Sequence, residues 1–326
     1  MQAIPISHPG DQPAVGTISS PTGSSPTLSS LTGYPAAVLC WLLSAGVYIA
    51  AKWVAPEMPP WGLCFWRLAL ASAILLPIVH RHHGAMITLL KTRAVEIVVV
   101  GAIGLTLCQG MIYHGLNDTD ATTAGIIMAL SPVMTMVLAR FVLGEPLGLW
   151  KSLGALAALA GMMVIVAHGN LTALLQLRFN PGELWIVGSA FCWGLYTVLL
   201  RRSKFGLELL PLVVLLLGAG ALVALPFHLW ELFNDERSAM TINGLLALAY
   251  LAGPGGALMY YLYNRSVETL GASRASMLLY LQTVFVAILA YLLLGENLHD
   301  YDLVGAAFIV AGIVLATVVK PIPGKA

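Results

Sequence analysis

Charge is what this sequence has least of. Asp, Glu, Lys and Arg make up 10% of 326 residues, against about a quarter in an average soluble domain. With 16 basic and 15 acidic residues the net charge is +1, so no basic surface for nucleic acid is implied. Cysteine is scarce as well. Cys40, Cys64, Cys108 and Cys192 each sit in an apolar run without a CxxC or His-spaced pattern, which leaves them as small core hydrophobes. The chain lacks a Gly-x-Ser-x-Gly elbow, an HExxH motif, a DxxxD arrangement and paired mid-span carboxylates, so a membrane-embedded enzyme has no visible chemistry. Residues 1–33 lack Lys, Arg and an apolar core segment; they read as a disordered tail rather than a signal peptide.

What the chain has is apolar length. Hydrophobic residues make up 59% and the mean hydropathy is +0.86. Apolar runs recur at 34–53, 61–80, 94–115, 121–143, 149–168, 183–201, 209–230, 241–263, 272–294 and 301–319. Each approaches the ~20 residues a helix needs to cross a bilayer. They are too long, and too little alternating, for barrel strands. The predicted fold is all-α, a polytopic membrane protein with ten transmembrane helices. Placing the N-terminus in the cytoplasm puts 12 of the 16 basic residues on the inner side, so both termini are expected there. The His80–His83 stretch belongs to that inner charge and reads as loop rather than metal site.

The second half repeats the first. Leu143-Gly144-Glu145 matches Leu294-Gly295-Glu296 at an offset of 151, and the same offset pairs Gly154 with Gly305 and Gly161 with Gly312. Gly46 and Tyr48 match Gly194 and Tyr196 at an offset of 148. Each copy holds five spans, an odd number, so the second must enter the membrane from the opposite side. Two inverted five-helix repeats are the architecture of alternating-access carriers. The expected organisation is a tail at 1–33, repeats at 34–168 and 181–319, and a short cytoplasmic tail at 320–326.

Phe65-Trp66-Arg67-Leu68 with Ala71, Ala129-Leu130-Ser131-Pro132 running to Leu143-Gly144-Glu145, and Leu294-Gly295-Glu296 resemble the signatures of the EamA-type drug/metabolite transporter superfamily. Within it the chain most resembles YddG-type amino acid exporters. The resemblance implies a central cavity lined by spans 1–4 and 6–9, with spans 5 and 10 peripheral. The second repeat departs from the first: it has no arginine matching Arg67, and Thr283 stands where Pro132 does. The two gates are therefore expected to differ chemically.

Polar groups inside a bilayer must be paired or line a wet cavity. The candidate wall is aromatic and weakly polar: Trp41, Ser44 and Tyr48 on span 1, Gln109 and Tyr113 on span 3, and Ser131 on span 4. From the second copy come Trp193 and Tyr196 on span 6, Tyr260 on span 8, and Tyr280 and Gln282 on span 9. Rings would stack on a solute side chain while hydroxyls and amides bond its polar ends. Arg67, the only full charge more than about a turn inside a span, reads either as a structural clamp or as a gate or carboxylate site. Pro132 and Pro254 are candidate hinges. Glu145 and Glu296 are expected to complement the starts of spans 5 and 10.

These readings converge on a secondary transporter of the inner (plasma) membrane, exporting amino acids, aromatic ones among them, and related small metabolites. A broad multidrug or dye exporter is the alternative, with a membrane-embedded enzyme or a receptor behind it. No cofactor or metal is expected. The expected partners are the solute and the lipid bilayer, and the chain is expected as a monomer or weak homodimer. No mid-span carboxylate offers a proton relay, which favours facilitated export.

Overall fold

In a bilayer every backbone N–H and C=O must be satisfied within the chain, and helices do so segment by segment. The computed structural model describes residues 28–54, 57–118, 124, 127–128, 130–166, 181–234, 241–289, 292 and 300–317. Glu296 and residues 320–326 lie outside them, as does all of the expected N-terminal tail except its last six residues.

The first repeat contains α1 (Leu28–Val54), α2 (Pro60–Leu75), α3 (His83–Gly101), α4 (Cys108–Asp118), α5 (Ser131–Leu143) and α6 (Leu149–Val166). The second contains α7 (Pro181–Ser203), α8 (Leu209–Phe233), α9 (Ile242–Ala252), α10 (Met259–Leu270), α11 (Ala272–Met277), α12 (Tyr280–Leu289) and α13 (Asp300–Thr317). Among the described residues there is no strand. α3 and α4 form one span, as do α9 and α10, and α11 with α12 makes another; ten spans result. α1 begins at Leu28, six residues before the expected boundary.

The inversion is visible in the packing. α6 pairs with α13 and α2 with α8, each a helix and its repeat equivalent. α1 packs on α10 as α7 packs on α4, and α1 on α12 as α7 on α5. Irregularities repeat too. A π-helical turn at Ala102–Leu107 joins α3 to α4, and one at Gly253–Leu258 joins α9 to α10, 151 residues later. Leu130 N–H bonds the Ile127 carbonyl, and Leu281 N–H bonds that of Leu278, both at 3.0 Å and at the same offset.

The glycine matches have a steric cause. A Cβ on Gly161 would lie 2.5 Å from the Gly305 carbonyl oxygen, and one on Gly312 would lie 2.5 Å from that of Gly154. Close backbone approach is how membrane helices gain packing without a hydrophobic driving force between them. Small residues thus bind α6 to α13 at the periphery.

Loop contacts show which helix ends share a face. Glu57 accepts from the Thr241 hydroxyl at 2.7 Å on the face where α1 ends. On the face where α1 starts, Arg93 donates to the Ser203 carbonyl and Arg201 to that of Glu268, both at 2.8 Å. Glu145, in the turn before α6, accepts from the Ser273 hydroxyl at the start of α11. Glu231, at the end of α8, takes the N–H groups of Trp61 and Gly62 at 3.0 and 2.7 Å. A carboxylate there complements the free donors of the α2 start.

Candidate solute cavity

Trp41, Ser44 and Tyr48 recur at i, i+3 and i+7, so α1 carries them on one face. That face, with Val47 and Ala51, walls a cavity; the cavity and the open solvent at its mouth together hold about 500 Å³ of space not filled by atoms. α4 contributes Cys108, Gln109, Ile112, Tyr113 and Leu116. Arg67 of α2, Trp193 of α7, Met259 of α10 and Gln282 of α12 complete the polar and aromatic lining, with Met128 and Leu279 at the breaks in spans 4 and 9. The lining runs from the middle of α1, and from the middle of the span formed by α3 and α4, toward their ends, so the cavity occupies the half away from the start of α1.

Arg67 anchors that half and is 1% exposed. Its Nη1 donates to Gln109 Oε1 at 2.7 Å and to the Tyr113 hydroxyl at 2.5 Å. Its Nη2 donates to the Gly255 carbonyl at 2.6 Å, within the second π turn. The guanidinium also lies 5.4 Å from the Tyr260 ring centre, a cation–π contact. The Gly-Pro-Gly-Gly stretch thus loosens the helix where a carbonyl meets the arginine.

The other half is sealed. Tyr196 donates to Asn264 Oδ1 at 2.7 Å, and Thr197 shares a hydrogen bond with the Tyr263 hydroxyl. Tyr263 packs on Trp41 at 5.5 Å and on Trp193 at 4.7 Å between ring centres. Tyr196 and Tyr263 are fully buried. This aromatic layer forms the cavity floor on the side where α1 begins.

Seven of the eleven expected wall residues line the cavity: Trp41, Ser44, Tyr48, Gln109, Tyr113, Trp193 and Gln282. Four do not. Tyr196 belongs to the seal, and Tyr260 lies under Arg67. Ser131 turns back on the Met128 carbonyl, and Tyr280 is fully buried away from the lining. Pro132 sits in the first turn of α5, where its missing N–H leaves no bond unmade; it opens the helix rather than kinking its middle. Pro254 lies in the second π turn. Unforeseen in the sequence were Thr197 and Tyr263, although Tyr263 stands three residues after Tyr260 on the same helix. Among the described residues no three His, Cys, Asp or Glu side chains gather as a metal site.

The family model of EamA-like transporters matches twice, over residues 31–167 and 180–318. The chain belongs to the EamA-like transporter family. It is 26% identical over 284 residues to the uncharacterized transporter YyaM of Bacillus subtilis, covering 86% of this chain and 92% of that one. The uncharacterized inner membrane transporter YicL of Salmonella typhimurium is 28% identical over 76% of this chain and 82% of its own length. An S-adenosylmethionine uptake transporter of Rickettsia felis is 24% identical, over 86% of this chain and 90% of its own. A crystal structure of another protein superposes with a TM-score of 0.70 at 21% identity, covering 90% of this chain and 98% of that one, which speaks to the fold alone. As an EamA-family chain with membrane-spanning helices, this is a multi-pass membrane transporter.

Proposed function

We propose that this transporter exports amino acids, aromatic ones among them, by alternating access through the cavity between its inverted halves. The observation that carries the reading is that cavity: two indole rings, two amides, hydroxyls and one guanidinium enclose it, with a sealed aromatic layer on one side only. An amphipathic solute with a carboxylate suits such a wall. The basic-residue bias favours cytoplasmic termini in an inner membrane, an orientation in which the cavity opens in the outer half and the seal faces inward. The Rickettsia relative is named for S-adenosylmethionine, an amino acid derivative; a carrier with near-equivalent halves runs in whichever direction the gradient sets. A multidrug exporter selecting cations fits less well, because among the described residues no carboxylate lines the cavity.

The solute and the bilayer are the partners this reading requires. Proteoliposomes loaded with labelled amino acids, with and without an imposed pH gradient, test it. Amino acids are expected to cross down their own gradient without a proton gradient. Movement of dyes but of no amino acid would overturn the substrate class.

A further inference from the structure

We propose that Arg67 is the receptor for a solute carboxylate, and that the cavity selects its solutes by this group and not by their ammonium. The inference rests on the cavity being the solute site. It starts from what the wall leaves unmet. The Nε–H of Arg67 has no hydrogen-bond partner, and neither has the indole N–H of Trp41 or of Trp193. All three groups donate only, and all three residues line the same cavity.

The amide acceptors on the wall are already engaged. Gln109 Oε1 receives Arg67 at 2.7 Å, and Gln282 Oε1 receives Ser44 at 3.2 Å. Among the described residues no carboxylate forms an ion pair with Arg67. A guanidinium that is 1% exposed therefore stands without a counter-ion, a costly arrangement unless an anion arrives. A carboxylate supplies the anion that this guanidinium lacks. To the hydrogen bond it adds a Coulombic attraction that the neutral Gln109 amide lacks, so it displaces that amide from the guanidinium while the solute's apolar part lies against the indoles. An ammonium finds no matching anion.

This separates three compounds of one shape. L-phenylalanine carries both groups, 3-phenyllactate exchanges the ammonium for a hydroxyl, and phenethylamine lacks the carboxylate. Calorimetric titration of the purified full-length chain in detergent is expected to show similar affinities for the first two. Phenethylamine should bind roughly tenfold more weakly or worse, the scale of a lost bond to a charged group. Because Arg67 also ties α2 to α4 and α10, its removal confounds folding. Gln109→Glu instead sets a carboxylate against the guanidinium in place. The variant should melt at or above the parent temperature and lose 3-phenyllactate binding roughly tenfold or more.

Binding of phenethylamine as tight as phenylalanine overturns the proposal, even if amino acids are transported. So does unchanged 3-phenyllactate binding by a folded Gln109→Glu variant, and so does an absence of binding by either carboxylate. Tight 3-phenyllactate with no phenylalanine binding would uphold the arginine site and remove the amino acid reading instead.

Discussion

The two halves of this transporter agree in their scaffold and differ in their gates. The glycine seam, the π turns and the broken spans 4 and 9 recur at one offset, so backbone geometry is conserved between copies. The gates do not recur. Tyr113 is held by Arg67, whereas its repeat equivalent Asn264 is held by Tyr196. Tyr48, the equivalent of Tyr196, lines the open cavity. On the alternating-access reading proposed above, symmetry would supply two interconvertible shapes, and asymmetry would put a fixed charge in only one of them. A solute anion would thus be met on one side of the membrane by a cation and on the other by neutral rings.

The scaffold side of this comparison breaks hardest. Gly161→Leu and Gly312→Leu each drive a side chain into a backbone carbonyl, and overpacking of this sort costs on the order of 1–3 kcal/mol or more. Both should cut the yield of monodisperse protein from membranes to a similar extent; tolerance of either would separate the two ends of the seam. At the gate carrying the charge, Arg67→Gln should lower transport roughly tenfold or more in proteoliposomes. Trp193→Ala or Tyr48→Ala should lower it less, a few-fold by the loss of one stacking ring, with insertion into the membrane intact. Parent rates in both would exclude these rings from the solute path.

Tyr196→Phe removes one neutral hydrogen bond from the seal, worth about 0.5–1.5 kcal/mol. Thiol labelling of a cavity cysteine from the α1-start face should rise a few-fold, a bias the equivalent Tyr48→Phe should not produce. Ser273→Ala should have the smallest effect, slightly weakening the Glu145 tie between α11 and the turn before α6.

Much of the architecture was legible because the bilayer enforces it. Ten apolar runs, an odd number per copy and matching glycines required an inverted pair. The site was legible where helical spacing survives unbroken, as for Trp41, Ser44 and Tyr48. It was misread where the chain departs from 3.6 residues per turn or where state matters. Ser131 and Tyr280 lie at the broken levels of spans 4 and 9, which turns Ser131 onto its own backbone. Tyr196, the equivalent of the cavity residue Tyr48, lies on the sealed side, and Tyr260, the equivalent of Gln109, packs under the Arg67 guanidinium. A repeat in the sequence holds no record of which half is open. Glu231 closes the start of α2 from one residue beyond the expected end of its span, too close to that boundary for hydropathy to place.

Alternation of the seal is the claim on which transport rests. With the native cysteines replaced by alanine, Tyr196→Cys and Asn264→Cys should be bridged by a short bifunctional methanethiosulfonate, and counterflow of labelled phenylalanine followed in proteoliposomes. The account predicts that bridging stops counterflow and that cleaving the bridge with dithiothreitol restores it. Counterflow undiminished in the fully bridged protein would contradict alternating access through this cavity.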